Sequence, residues 1–118
     1  MIRHEYWKDI TQETSGLIVH GCNAQGVMGS GVALAIRNKW PKVYQFYRSM
    51  NDYILGDVQF VQVDDDLYVA NLISQEFFGS DNKRYASLDA IETGLIKCFI
   101  FCMDNNLILK MPKIGSLS

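Results

Sequence analysis

The chain has 118 residues, of which 48% are hydrophobic and 20% are charged. This length and composition predict one globular domain with a modest core, and they exclude an intrinsically disordered chain. The formal net charge is -2, which excludes the broad basic field that an extended nucleic acid requires. A bound phosphate would therefore be held locally, by backbone dipoles more than by side-chain charge.

Cysteine usage and the N-terminal residues predict a reduced, cytoplasmic protein, because the three cysteines are an odd number and no apolar leader is present. The apolar run 98–103 is too short to span a membrane. Cys98 and Cys102 are four residues apart, so they share a helix face and are expected to pack in the core. No second ligand pair has suitable spacing, and neither a metal nor a cofactor is expected.

Hydrophobic periodicity predicts strands alternating with helices along the chain. The predicted strands are residues 2–7, 17–22, 57–63, 67–73 and 107–111, and the predicted helices are residues 31–39, 41–50 and a long helix after Ser87. Pro41 separates the first two helices, because the residue before a proline is pushed out of the helical region. Ser87 is the expected N-cap of the long helix, and Asn105-Asn106 suits its left-handed exit.

The long helix is expected to bury one face. Its predicted buried row is Leu88, Ile91, Leu95, Phe99 and Cys102. The acidic run 64–66 is interpreted as a solvated hairpin turn between two antiparallel strands. It lacks the alternating oxygen ligands, the central glycine and the closing glutamate of a calcium loop.

The segment from Leu17 to Ala33 is the strongest candidate for a ligand site. It combines a buried strand, four glycines and the start of a helix. Unpaired amide groups and the helix dipole make such a helix N-terminus a ready anion site. Neither the P-loop nor the dinucleotide fingerprint fits, because Gly31 is followed by Val32-Ala33 and the glycine spacing differs. The alternative is that the glycines serve only tight packing between strand and helix.

Several motifs resemble, in sequence order, those of the macro domain, an ADP-ribose-binding module. They are residues 19–24 with 29–33, 40–44, 55–58, 69–73 and 111–115. The resemblance covers nearly the whole chain and is closest to the branch that includes ADP-ribose-1''-phosphate phosphatases and some phage proteins. It implies an α/β fold in which helices flank a mixed sheet in three layers, α/β/α.

The resemblance also implies roles for individual residues toward ADP-ribose or a derivative. Asp9 would accept a hydrogen bond from the adenine amino group, and Asn23 would bind the distal ribose. The full set of implied binding residues is Asp9, Ile10, Asn23, Gly29, Ser30, Gly31, Val32, Ala33, Ile114, Gly115 and Ser116. Two alternatives stay open, since Asp9 could merely cap a turn and Asn23 could be a left-handed turn residue.

For turnover, the phosphatase branch places a histidine at the position of His20. Imidazole can move protons near neutral pH, and the implied reaction is hydrolysis of ADP-ribose-1''-phosphate to ADP-ribose and phosphate. The alternative for His20 is a hydrogen-bonded core residue. Alternatives for the whole chain are a non-catalytic ADP-ribose reader, a hydrolase of ADP-ribose linked to protein or nucleic acid, and a dinucleotide-binding fragment that prefers NAD.

Macro domains continue into another helix and an inner strand beside the first strand. The chain, a single domain over residues 1–118, is therefore expected to be shortened, to lack the last strand and helix, and to end within the second ligand loop. The acid of the phosphatase branch would follow that loop. An exposed sheet edge is expected, and a second copy of the chain could cover it in a homodimer. No membrane partner is expected.

Overall fold

A computed structural model of the protein describes residues 9–29, 31–76 and 87–112, and the backbone of residues 2–4. In chain order the elements are β1 (Ile2–His4), a short 3-10 turn (Ile10–Gln12), β2 (Gly16–Asn23), α1 (Gly31–Lys39), α2 (Pro41–Arg48), β3 (Val58–Asp64), β4 (Leu67–Gln75), α3 (Leu88–Asn105) and β5 (Leu109–Met111). The predicted alternation of strands and helices is confirmed within these ranges.

The strands form one mixed sheet in the order β1-β5-β2-β4-β3. Parallel pairing joins β1 to β5, β5 to β2 and β2 to β4, and β3 runs antiparallel to β4. Among the described residues β1 lies directly beside β5, with no vacant strand position between them, and β1 and β3 form the two edges. Dimerisation through an edge stays a prediction.

The side chains of β2 alternate between two apolar clusters, one on each face of the sheet. Ile18 and Cys22 belong to the cluster under α1 and α2, whereas Leu17 and Val19 belong to the cluster under α3. Because successive residues of a strand point to opposite faces, such a buried strand requires cover on both sides. The predicted three-layer α/β/α architecture is confirmed, and β2 is its central strand.

Local sequence signals set the helix boundaries. Helix α1 ends at Lys39, and Pro41 occupies the first turn of α2. The Ser87 hydroxyl accepts a hydrogen bond from the Ala90 amide at 3.1 Å, and Asn106 takes the left-handed conformation at φ 54°. In the described part of the chain, no helix is both long and apolar enough to cross a membrane.

The predicted buried row of α3 is wrong at its first member, since Leu88 is 82% exposed. The buried residues of α3 are Ala90, Gly94, Cys98 and Cys102. These small residues let the helix approach the sheet closely. The larger residues Ile91, Leu95 and Phe99 of the predicted row are only partly buried. The expected packing of both cysteines in the core is confirmed.

The close approach of α3 is tightest at Gly94. A methyl group there would lie 2.4 Å from Cγ of Leu72, which is fully buried. We therefore expect Gly94→Ala to lower the free energy of unfolding by about 1–3 kcal/mol through overpacking, although alanine favours a helix more than glycine does. Urea denaturation measures the change, and Glu92→Ala on the exposed side of α3 is the control. A Gly94→Ala variant at least as stable as the wild type would contradict this packing.

Candidate functional site

The candidate site begins where β2 ends, at an irregularity in the sheet. The register between β2 and β4 shifts at Cys22 and Asn23, and Asn23 pairs with Gln75. Such irregularities redirect the chain and its side chains, and they are common beside binding sites. The loop from Ala24 to Gly29 therefore leaves the sheet at the carboxyl ends of the parallel strands, where ligands bind in folds of this class.

Asn23 shapes this loop through its side chain. Its Oδ1 accepts hydrogen bonds from the amides of Gln25 at 2.9 Å and Val27 at 3.3 Å, and its Nδ2 donates to the Val27 carbonyl at 2.8 Å. Asn23 is 8% exposed and does not have a positive φ. The alternative of a left-handed turn residue is therefore wrong. A second Nδ2 hydrogen has no acceptor among the described residues, so it is available to a ligand hydroxyl.

Tyr47 of α2 connects the loop to the helical layer. Its hydroxyl lies 2.8 Å from Asn23 Oδ1 and 2.5 Å from the Asn23 carbonyl oxygen, and it accepts a hydrogen bond from the Gly26 amide at 3.1 Å. Burial raises the pKa of Tyr47, so the hydroxyl remains a donor at all physiological pH values. Helical spacing predicts a core face of Val43, Phe46, Tyr47 and Met50 on this helix. The prediction is confirmed for Val43 and Tyr47 and is wrong for Phe46, which is 43% exposed, and it gives no sign of the polar role of Tyr47.

The N-terminus of α1 follows the loop and is open. Gly31 begins the helix at φ +59°, and a side chain there would meet no atom of the described residues within 4 Å. The first-turn amides have no acceptor inside the helix, and no acidic side chain lies in that turn to balance the dipole. Val32 and Ala33 are half-buried and Gly29 is exposed. Among the described residues, no side chain blocks the approach of an anion to the position of Gly31.

The loop and the two helices that follow it carry basic side chains and no acidic ones. The sequence has no acidic residue from residue 14 to residue 51, a stretch that contains the loop and both helices. Arg48 lies at the loop itself, where Nη1 is 3.3 Å from the Gly26 carbonyl oxygen. Residues 14–51 are therefore a positively charged stretch, although Asp9 lies in the turn beside α1 and the Glu76 carbonyl contacts Gln25. Arg48 is a candidate anion contact that sequence reasoning missed.

Asp9 and Ile10 occupy the turn that packs against α1. Asp9 Oδ1 accepts a hydrogen bond from the Thr11 amide at 2.9 Å, and the backbone and side chain of Thr11 lower the pKa of Asp9. The capping role is therefore real, and it leaves Oδ2 of an exposed, ionised carboxylate for a ligand. Ile10 is 5% exposed and belongs to the core, so only its backbone can contact a ligand.

His20 lies inside the protein, with 1% of its surface exposed. Its Nε2 is 2.6 Å from Asn71 Oδ1, while Asn71 Nδ2 donates to Gln59 Oε1 at 3.0 Å and to the Val43 carbonyl at 3.3 Å. This network assigns the hydrogen of a neutral imidazole to Nε2. Burial lowers the pKa of His20 to about 4. These features match the core alternative, and the catalytic role stays a prediction.

The thiol of Cys22 does not form a nucleophilic pair with this imidazole. Its Sγ lies 3.6 Å from His20 Nε2, but burial raises the pKa of Cys22, and a protonated, enclosed thiol is inert. Among the described residues, no group of three or more histidine, cysteine, aspartate or glutamate side chains is arranged to hold a metal ion.

The structure thus brings part of the predicted binding set together on one loop and helix end, namely Asn23, Gly29, Gly31, Val32 and Ala33. Four predicted binding residues lie outside the described residues, namely Ser30, Ile114, Gly115 and Ser116. The residues that sequence reasoning missed form hydrogen bonds with residues far away along the chain. Tyr47 is 24 positions from Asn23, and Asn71 is 51 positions from His20. No local pattern in the sequence indicates either contact.

Comparison with known proteins places this geometry in a family, although no family model matches the chain. The chain is 30% identical over 111 residues to an ADP-ribose 1''-phosphate phosphatase of Lodderomyces elongisporus, covering 85% of this chain and 69% of that protein. A macrodomain protein of Streptomyces coelicolor superimposes with a TM-score of 0.81 at 30% identity, over 98% of this chain and 80% of the other.

The fold likeness extends to more distant proteins. The macrodomain of Mycobacterium tuberculosis DarG superimposes with a TM-score of 0.78 at 21% identity, over 100% of this chain and 80% of that one. Sequence similarity over most of the chain and agreement of the whole fold point to the same group of proteins. The chain therefore belongs to the macro domain family.

Proposed function

We propose that this protein binds ADP-ribose or a close derivative of it in the crevice formed by the loop after β2 and the N-terminus of α1. The observation that carries the proposal is the helix end, where a side chain at Gly31 would meet no atom of the described residues within 4 Å and the first turn of α1 has no acidic residue. A diphosphate fits such a site because backbone amides can approach two phosphate groups at once. The related phosphatase supports the same ligand class by its name.

The proposed orientation is the one that the resemblance to macro domains implies. The Asp9 carboxylate would accept a hydrogen bond from the adenine amino group, with the Ile10 backbone beside it. The diphosphate would lie against Gly29 to Ala33 with Ser30 among its contacts, and Asn23 would donate to the distal ribose. Ile114, Gly115 and Ser116 would close the second phosphate loop.

We further propose hydrolysis of ADP-ribose-1''-phosphate to ADP-ribose and inorganic phosphate. In this reaction water attacks the phosphorus, and the bond between phosphorus and the ribose C1'' oxygen breaks. Support comes from the names of the related phosphatases. Binding without release of phosphate would instead favour a non-catalytic reader, and release of ADP-ribose from a modified protein or nucleic acid would favour the linked-ADP-ribose hydrolase.

The first experiment is calorimetric titration with ADP-ribose and with NAD, together with a phosphate-release assay on ADP-ribose-1''-phosphate. Binding of ADP-ribose in preference to NAD is expected, because the glycine spacing of the loop lacks the dinucleotide fingerprint. Tighter binding of NAD would favour the dinucleotide-binding alternative and contradict the proposal.

Gly31→Glu is expected to abolish ADP-ribose binding in the same titration. The new carboxylate would occupy the space that the diphosphate requires and would repel it. Gly31→Ala is the matched control, because it introduces the same backbone strain at positive φ but adds only a methyl group in open space. A Gly31→Glu variant that folds and binds normally would place the diphosphate elsewhere.

Tyr47→Phe is expected to weaken ADP-ribose binding about tenfold, because one lost hydrogen bond of average strength corresponds to that factor. The variant keeps the ring in the core but frees Asn23 and Gly26 from the hydroxyl that fixes them. Tyr44→Phe is the control, since the Tyr44 hydroxyl has no hydrogen-bond partner among the described residues. Equal affinities for wild type and Tyr47→Phe would show that the loop does not depend on this contact.

The His20→Gln variant distinguishes a catalytic role of His20 from a purely structural one. The glutamine amide can still donate to Asn71 but cannot exchange a proton near neutral pH. Phosphate release is expected to fall while ADP-ribose binding is retained, and unchanged release would remove His20 from the mechanism.

The same variant tests the pH dependence of stability. The pKa of His20 is about 4 in the folded protein and about 6.5 in an unfolded chain, so unfolding takes up a proton between these values. The contribution of neutral His20 to the free energy of unfolding is fully present above pH 6.5 and is lost as the pH falls to about 4. It amounts to about 3 kcal/mol. Denaturation curves measured between pH 4 and 6.5 should show a free energy of unfolding that falls with decreasing pH in wild type and falls less steeply in His20→Gln.

A further inference from the structure

Lys110 of β5 is a buried cation whose contacts the proposed binding scheme does not use. Its side chain is 6% exposed, and Nζ donates to Glu13 Oε1 at 2.7 Å and to the Ser15 carbonyl oxygen at 2.7 Å. Glu13 is equally enclosed, with a side chain that is 2% exposed. The pair joins residues 97 positions apart in the chain.

Glu13 lies at the end of the turn that contains the proposed adenine contact. The Gln12 amide donates to the Asp9 carbonyl at 2.9 Å, and the Glu13 amide donates to the Ile10 carbonyl at 3.2 Å. Residues 9–13 are therefore one hydrogen-bonded unit, which begins with the Asp9 carboxylate and ends with the carboxylate that Lys110 holds. The position of Glu13 limits how the whole unit can tilt.

Lys110 lies on β5, an interior strand of the sheet, so its backbone is held on both sides. Its backbone pairs with Ile18 of β2 on one side and with Arg3 of β1 on the other. The strand ends at Met111, and Pro112 then precedes residues 113–118, which contain the proposed second phosphate loop. The ion pair thus links the proposed base-binding turn to the strand that leads to that loop.

Stability alone gives little reason to bury this pair. Taking two charges out of water costs free energy that their attraction repays only with good geometry, and an apolar pair of the same size is often as stable. An ion pair without this enclosure is present elsewhere, between Lys97 and Asp57 at 3.2 Å, with side chains 45% and 42% exposed. The buried pair instead fixes the position of the Glu13 carboxylate, because Lys110 Nζ donates to Glu13 Oε1 and to the Ser15 carbonyl at the same time.

We propose that Lys110 and Glu13 are positioning residues that set the direction of the Asp9 carboxylate and thereby the specificity for adenine. This inference rests on the proposed ADP-ribose function. A correctly directed carboxylate accepts a hydrogen bond from the 6-amino group of adenine. Hypoxanthine carries a carbonyl oxygen at that position, which a carboxylate repels. A binding site built for a donor rejects the analogue that lacks it, but only while the acceptor is held in place.

The test compares the affinities for ADP-ribose and for its hypoxanthine analogue in wild type and in Lys110→Met. The wild type is expected to prefer ADP-ribose, and Lys110→Met is expected to reduce that preference about tenfold, the equivalent of one hydrogen bond. Lys97→Met, which breaks the exposed ion pair, is the matched control and should keep the wild-type preference. A purely structural defect would weaken both ligands equally and leave the ratio unchanged.

Lys110→Met removes one charged partner of the buried Glu13 carboxylate. If that variant does not fold, the double variant Glu13→Gln/Lys110→Met is used instead, because it buries a neutral amide in place of the carboxylate. Loss of preference in either folded variant supports the inference. Wild-type preference retained in a folded variant overturns it. A wild type that does not bind ADP-ribose overturns the proposed function instead, so the two failures are distinguishable.

Discussion

The hydroxyl of Tyr47 holds the end of the central strand, and the proposed site depends on that contact. Strand β2 is enclosed by β4, β5 and helices on both faces, so its course is fixed as far as Cys22. Beyond that point the chain leaves the sheet, and Asn23 has to be held by side chains. Tyr47 provides the bond from α2, and the loop amides then converge on Asn23. The open end of α1 follows from this arrangement, because the loop delivers the chain to Gly31.

The proposed site binds negative charge with little formal positive charge of its own. In the proposal, amide groups and a helix dipole supply most of the attraction, and the Arg48 side chain donates to the Gly26 carbonyl of the loop. Behind the loop the protein is polar but neutral, since burial keeps His20 uncharged and Asn71 satisfies its Nε2 hydrogen. A neutral layer of this kind neither repels nor competes with the phosphates. It also costs less to bury than an ionised group would.

Sequence reasoning succeeded where the structure depends on neighbours in the chain. The limits of α1, the proline at the start of α2, the Ser87 cap and the left-handed Asn106 all follow from local chemistry. It failed for Leu88 because α3 is apolar around most of its circumference, so periodicity alone cannot select the buried side. The contacts of Tyr47 and Lys110 could not be predicted, because each joins residues that only the folded sheet brings together. The glycine-rich loop was found because its signal is contained within a few consecutive residues.

The order of the strands has a consequence for biosynthesis. Leu109 of β5 pairs with Ile2 on one side and with Leu17 on the other, so the strand made last among the five is inserted between the two made first. While the ribosome is still translating α3, β1 has no partner and β2 presents one unpaired backbone edge. Completion of the sheet must wait until β5 has emerged from the exit tunnel. The nascent chain is therefore exposed to association with other chains during that interval, and folding chaperones would have the greatest effect on it there.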